Sequence, residues 1–173
     1  MKRKLLSALL ATAMTMTVVA GTGIAVSADG EAVVSTVMFS DPDTMDPGRA
    51  DDDQKNSIVL ECQETLVRLI DGKLTNAGAE SYETSDDGLV WTFHLRDNKY
   101  SDGTPVVAED YVNSIRRVFD PEVNCHNAGI FYCIAGGEAF NTGSGAKEDV
   151  GAKAIDDKTL EITLTEPIPY FAQ

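Results

Sequence analysis

Leu89, Trp91, Phe93 and Leu95 alternate with Val90, Thr92 and His94, and no other stretch limits the fold as strongly. Successive side chains of a strand point to opposite faces, so this run has one strongly apolar face that must be covered. Asp87-Gly88 precedes it as a turn, because Gly accepts positive φ and Asp bonds locally to the backbone. Arg96-Asp97 ends the run, and Ser101-Asp102-Gly103-Thr104-Pro105 is a second turn. From Ala108 the period becomes helical, with Tyr111, Val112, Ile115, Val118 and Phe119 on one face. Asp120-Pro121 stops that helix, since Pro restricts its predecessor and cannot continue the hydrogen bonding of the last turn. Residues 85–110 thus read as turn, buried strand, turn and helix start.

The remaining elements follow from the same signals. Val33 to Phe39 is β-prone. Leu66 to Ile70 is a short strand turned back by Asp71-Gly72 through Lys73-Leu74. Glu80 to Thr84 pairs across the Asp86-Asp87-Gly88 turn. Val150 to Ile155 and Lys158 to Leu164 form a hairpin around Asp156-Asp157. A helix capped by Asp53 carries Ile58, Val59 and Cys62 on a core face, which makes Cys62 a buried thiol. Residues 122–149 form a loop with one short helix near Gly136 to Phe140. Hairpins joined by short connections, with helices in mixed order, predict an α+β fold.

The N-terminus carries an export pattern. Lys2-Arg3-Lys4 precedes the uncharged apolar run Leu5 to Ala20, and Val26-Ser27-Ala28 offers small residues for cleavage before Asp29. Residues 1–28 are therefore expected to be a signal peptide, and 29–173 the mature part. No Cys ends the apolar run, so a lipid anchor is not expected. Residues 1–28 hold three of the 14 basic residues and none of the 28 acidic ones, which leaves 11 against 28 and a formal net charge of −17. Such a chain repels phosphate backbones, so no nucleic-acid partner is expected. The chain stops on the largely apolar stretch Glu166 to Gln173, which reads as the entrance to a further element.

Residues that could carry chemistry are few. Asp41, Asp43 and Asp46, followed by Asp51-Asp52-Asp53, fit three readings: a hard-cation site, carboxylates facing a ligand, or turn and cap chemistry. The EF-hand pattern fails because neither its Gly nor its closing Glu is present. His94 lies in the apolar strand on its less apolar face, and His126 adjoins Cys125 with nothing to orient it as a base. No G-x-S-x-G occurs. No catalytic residue, metal site or cofactor is expected, and the chain is not expected to be an enzyme. Cys125 and Cys133 can close a short loop, while an odd count leaves one thiol free in any case. Among the aromatics, Phe131 and Tyr132 in a Gly-flanked loop are the best candidates for a ligand contact.

W-T-F-H-L-R, S-D-G-T-P, the Ala108-Glu109-Asp110 helix start, Glu64-x-Leu-Val-Arg68 and the late segment VGAKAIDDKTLEITLTEPIPYF together resemble the extracellular solute-binding proteins of family 5. These are oligopeptide- and dipeptide-binding subunits of ABC importers, with nickel-binding relatives. The resemblance covers essentially all of the mature chain. It implies the N-terminal part of lobe one of a two-lobed, type II periplasmic-binding-protein fold, with the rest beyond Gln173. It implies a short peptide as ligand, an ABC permease in the membrane as partner, and a monomer that is periplasmic or at the cell surface. A surface adhesion or sensory module, or a nickel or other small-solute carrier, is the alternative on the same scaffold.

By position, the resemblance places ligand contacts near Asp51 and Asp53, in the loop after Asp46-Pro47, and at Asn127, beyond Asp120-Pro121. The Ser85 to Asp110 stretch is expected to build the body of the lobe without touching ligand. Three departures stand out. Val107 replaces the hydroxyl residue that usually starts the helix, Asn76-Ala-Gly-Ala79 replaces Pro-x-Leu-Ala, and Tyr82 stands for a Trp. The missing cap hydroxyl is expected to cost about 1 kcal/mol at that helix start.

Overall fold

The computed structural model describes residues 24–26, 32–34, 41–50 and 52–172, and the chain falls into two compact units, Met1–Asp41 and Pro42–Gln173. In the first unit, β1 (Ile24–Val26) pairs antiparallel with β2 (Ala32–Val34), Ile24 lying opposite Val34. Val33 and Val34 therefore are in a strand, as expected, while residues 35–39 of that expected strand lie outside the described residues. So do residues 1–23, Ser27 and Ala28, which carry most of the expected signal peptide.

The second unit is built on a four-stranded antiparallel sheet. Its strands are β5 (Ala79–Thr84), β6 (Val90–Leu95), β7 (Ala152–Asp156) and β8 (Thr159–Thr163), in the order β5-β6-β8-β7. The alternation is realised over β6, where Trp91, Phe93 and Leu95 are buried and Val90, Thr92 and His94 are half-buried on the other face, while Leu89 precedes the strand and is half-buried. Trp91 lies opposite Ile162 and Phe93 opposite Leu160, so two apolar runs meet in register. Burying a side chain such as Phe93 contributes about 1.5–3 kcal/mol relative to leaving it exposed. Gly88 takes φ +72°, and the Asp87 carboxylate accepts from the Ser85 hydroxyl at 2.6 Å and the Leu89 N–H at 3.1 Å, which fixes the β5–β6 turn.

Helix α1 (Asp53–Cys62) and helix α2 (Ala108–Val118) precede the short helix α3 (Gly137–Asn141). Helix α2 packs against β7 and β8, with Val112 and the following Phe119 fully buried. Its start compensates for the missing hydroxyl. Val107 offers no side-chain oxygen, but its N–H donates to the Asp110 carboxylate at 2.9 Å, and the Ala108 N–H donates to the Asp157 carbonyl at 2.9 Å. Half of a capping box survives, and the β7–β8 turn satisfies another free amide.

The separate hairpin of β3 (Val67–Ile70) and β4 (Lys73–Asn76) turns through Asp71 and Gly72, both at positive φ, as a two-residue hairpin loop requires. Tyr82 occupies the expected Trp position by stacking on Trp91, ring centroids 5.8 Å apart.

Two local expectations are corrected. Asp52, one residue earlier than Asp53, caps α1: its carboxylate accepts from the Lys55 N–H at 2.9 Å. Cys62 is exposed, because among the described side chains of α1 only Lys55, Ile58 and Val59 turn inward. All three cysteines are free thiols, so no 125–133 bridge is present. Among the described residues no helix is long and apolar enough to cross a membrane.

Candidate functional site

The outer face of α2 forms one wall of an open cavity of about 1070 Å³. Asp110, Tyr111, Ser114, Arg117 and Val118 line it from the helix, at the spacing of one helical face. The apolar stripe read from the sequence is therefore divided. Val112 and Phe119 enter the core, while Tyr111 and Val118 are half-buried at the cavity. Opposite walls come from Pro47, Gly48 and Ala50, from residues 62–66 after α1, from residues 98–101, and from Cys125, Asn127, Ile130 and Phe131.

One end of the cavity is polar. The Glu64 carboxylate accepts from the Arg96 guanidinium and, at 2.6 Å, from the Asn98 amide, while Arg96 Nε donates to the Ala77 carbonyl at 2.6 Å. Tyr111 approaches Gly78 so closely that any side chain at 78 would collide with the phenol oxygen. Burial, reinforced by the Glu64 charge, raises the Tyr111 pKa, so the phenol stays protonated and able to donate. Tyr100 is raised as well, by burial first and then by the Asp110 charge.

The other end is organised by an ion pair. Asp46 accepts two hydrogen bonds from Arg117, at 2.7 and 2.6 Å. The hydrogen bond from Arg117 holds the Asp46 carboxyl below its ordinary value of 3.8, and the carboxylate raises Arg117 in turn. Asp46 also caps the short 3-10 helix Pro47–Arg49 by accepting from the Gly48 N–H at 3.0 Å. Asp43 and Asp52 both reach the buried Lys55, at 2.8 and 3.4 Å. Asp43, Asp46 and Asp52 thus make cap and ion-pair contacts within the chain. The described residues contain no His/Cys/Asp/Glu group able to hold a metal.

Of the three expected ligand residues, one lies at this cavity. Asn127 is exposed and lines it, as the residue that precedes the 3-10 helix Ala128–Phe131. Asp53 is exposed at the first turn of α1, outside the lining set, and Asp51 lies outside the described residues. Phe131 lines the cavity, whereas the Tyr132 hydroxyl donates to Asn141 at 2.7 Å and its ring faces Phe119. The stretch expected to form only the body of the lobe contributes Asn98, Lys99, Tyr100, Ser101, Val106 and Asp110 to the wall. Sequence reasoning passed over Arg117 as well. It lies 71 residues from Asp46, so nothing local to it points to that partner.

Residues 73–173 match bacterial extracellular solute-binding proteins, family 5 Middle. The chain belongs to this family. It is 36% identical over 146 residues to the oligopeptide-binding protein OppA of Bacillus subtilis strain 168, covering 83% of this chain and 27% of the relative. It is 42% identical over 136 residues to the periplasmic oligopeptide-binding protein OppA of Escherichia coli K12, covering 76% and 25%. The structure of Listeria monocytogenes OppA bound to peptide superposes with a TM-score of 0.72 at 40% identity, over 74% of this chain and 26% of that one. The mixed helix-and-sheet fold is that of a portion of these binding proteins. The chain spans about a quarter of the length of the curated relatives it matches.

Proposed function

We propose that residues 29–173, after a signal peptide of residues 1–28, form the N-terminal part of lobe one of an exported solute-binding protein. The whole protein captures short peptides and delivers them to an ABC permease. The observation that carries this reading is the 40% identity and shared fold with a peptide-bound family member. The wide, open cavity with mixed polar and apolar walls supports it, since a peptide presents both main-chain polar groups and varied side chains. Asp51, Asp53 and Asn127 are the proposed ligand-facing residues; of these Asn127 lines the cavity, and Asp53 begins α1. Peptide binding favours closure of the two lobes, and the closed form is what the permease meets. The protein acts as a monomer and binds without chemical turnover. Its acidity keeps it from nucleic acids.

Calorimetry on the intact gene product with a pool of tri- to pentapeptides tests this reading. Saturable heat is expected. No heat with peptides, but saturation by Ni²⁺, would replace it with the carrier reading. Silence with both would favour an adhesion or sensory module.

A further inference from the structure

The two flanking loops meet at one point. Arg117, in the last turn of α2, reaches Asp46 with both terminal nitrogens, at 2.7 and 2.6 Å. Gly48 lies directly beneath this fork: a Cβ there would stand 2.9 Å from Arg117 Nη1 and 3.4 Å from a Val123 methyl. Val123 is held in the turn after the helix by its N–H donating to the Asp120 carbonyl at 3.1 Å. Pro47, Gly48 and Ala50 of the first loop line the cavity, and so do Cys125 and Asn127 of the second, Asn127 four residues after Val123. The cavity-lining loop before α1 is thus clamped onto the end of α2, from which the loop carrying Asn127 departs.

We propose that the Asp46–Arg117 fork, seated on Gly48, is a positioning element that holds the two cavity-lining loops in register. This rests on the peptide-binding reading above. Planarity is what the arrangement uses, because only a guanidinium can make two parallel bonds to one carboxylate, and Gly is what lets the loop lie flat against it. The Arg117 side chain is 46% exposed and that of Asp46 26%, so the pair adds little to global stability. Its work is to restrict the loop conformations that compete with the binding-competent one.

The prediction follows from population arithmetic. If the freed loop is competent one time in ten, the apparent Kd rises about tenfold. Calorimetry with the same peptide pool on the intact gene product measures Kd, and a thermal melt of each variant measures Tm. Arg117→Gln and Asp46→Asn are each expected to raise Kd about tenfold while Tm falls by no more than about 3 °C. Arg117→Lys keeps the charge and loses the fork, and is expected to recover only part of the affinity. Gly48→Ala is expected to weaken binding alone and to add nothing in the Arg117→Gln background, since the colliding nitrogens are then gone. Wild-type protein that binds no peptide overturns the peptide reading itself. Wild-type binding with variants within twofold, with full rescue by Lys, or with additive Gly48→Ala and Arg117→Gln effects, overturns the positioning role.

Discussion

The sheet side and the cavity side of the second unit are built on different physics. On the sheet side, β6 and β8 bury every second residue, and Phe93, Leu160 and Val112 are almost wholly removed from water. On the cavity side, α1 leaves Leu60 52% exposed, and β3 leaves Leu69 64% and Ile70 51% exposed. Order there comes from polar links between distant segments: Asp46 with Arg117, Glu64 with Arg96 and Asn98, and Arg68 with the Leu60 and Gln63 carbonyls. Apolar burial holds one side together and sets its stability. Directional pairs set the shape of the other and contribute little to stability.

Four measurements can break or sharpen this contrast. Phe93→Ala, at a site 2% exposed and packed against Tyr82 and Trp91, is expected to cost about 3–5 kcal/mol in a urea melt. A loss below 1 kcal/mol would mean that the sheet is not the stabilising half. Gly137→Ala comes next. Its methyl would stand 2.6 Å from the Phe119 ring, which is fully buried and cannot withdraw, so overpacking of about 1–3 kcal/mol is expected. On the cavity side, acid tests the Asp46 pair. Its folded pKa lies below the ordinary 3.8, so the contribution is complete above that value and is lost as pH falls through the folded one. Asp46→Asn is therefore expected to flatten the acid limb of stability below about pH 4 by less than about 1 kcal/mol, because solvent screens the pair. An equal effect at pH 7 and pH 2 would contradict this origin. Smallest of all is Leu60→Ala, expected within about 0.5 kcal/mol of wild type in the same melt. A large loss would show that the exposed face of α1 is covered.

The same contrast explains what the sequence made legible. A buried face stamps its period on the chain, so the β6 alternation, the β7–β8 hairpin and α2 could be read from neighbours alone. Turn chemistry was equally local, as at Asp71-Gly72 and Asp87-Gly88. The cavity side gives no such period. The choice of Asp52 over Asp53 as cap depends on where α1 begins, and the exposure of Cys62 depends on how little of α1 is covered. Residues 98–101 follow a buried strand, yet the chain turns out of the sheet after Leu95 and presents them to the cavity. Asn127 could be placed only through family resemblance. No local signal joins Arg117 to a carboxylate 71 residues away.

Trp91 is the only tryptophan in the chain, 5% exposed, with Tyr82 and Phe171 around its ring and no acceptor for its indole N–H among the described residues. It is therefore an optical gauge of the sheet. Its emission is expected to be blue-shifted while the aromatic cluster is dry and to redden when that cluster opens. The signal can follow folding of the sheet side in isolation, while a dye or calorimeter is needed for events at the cavity.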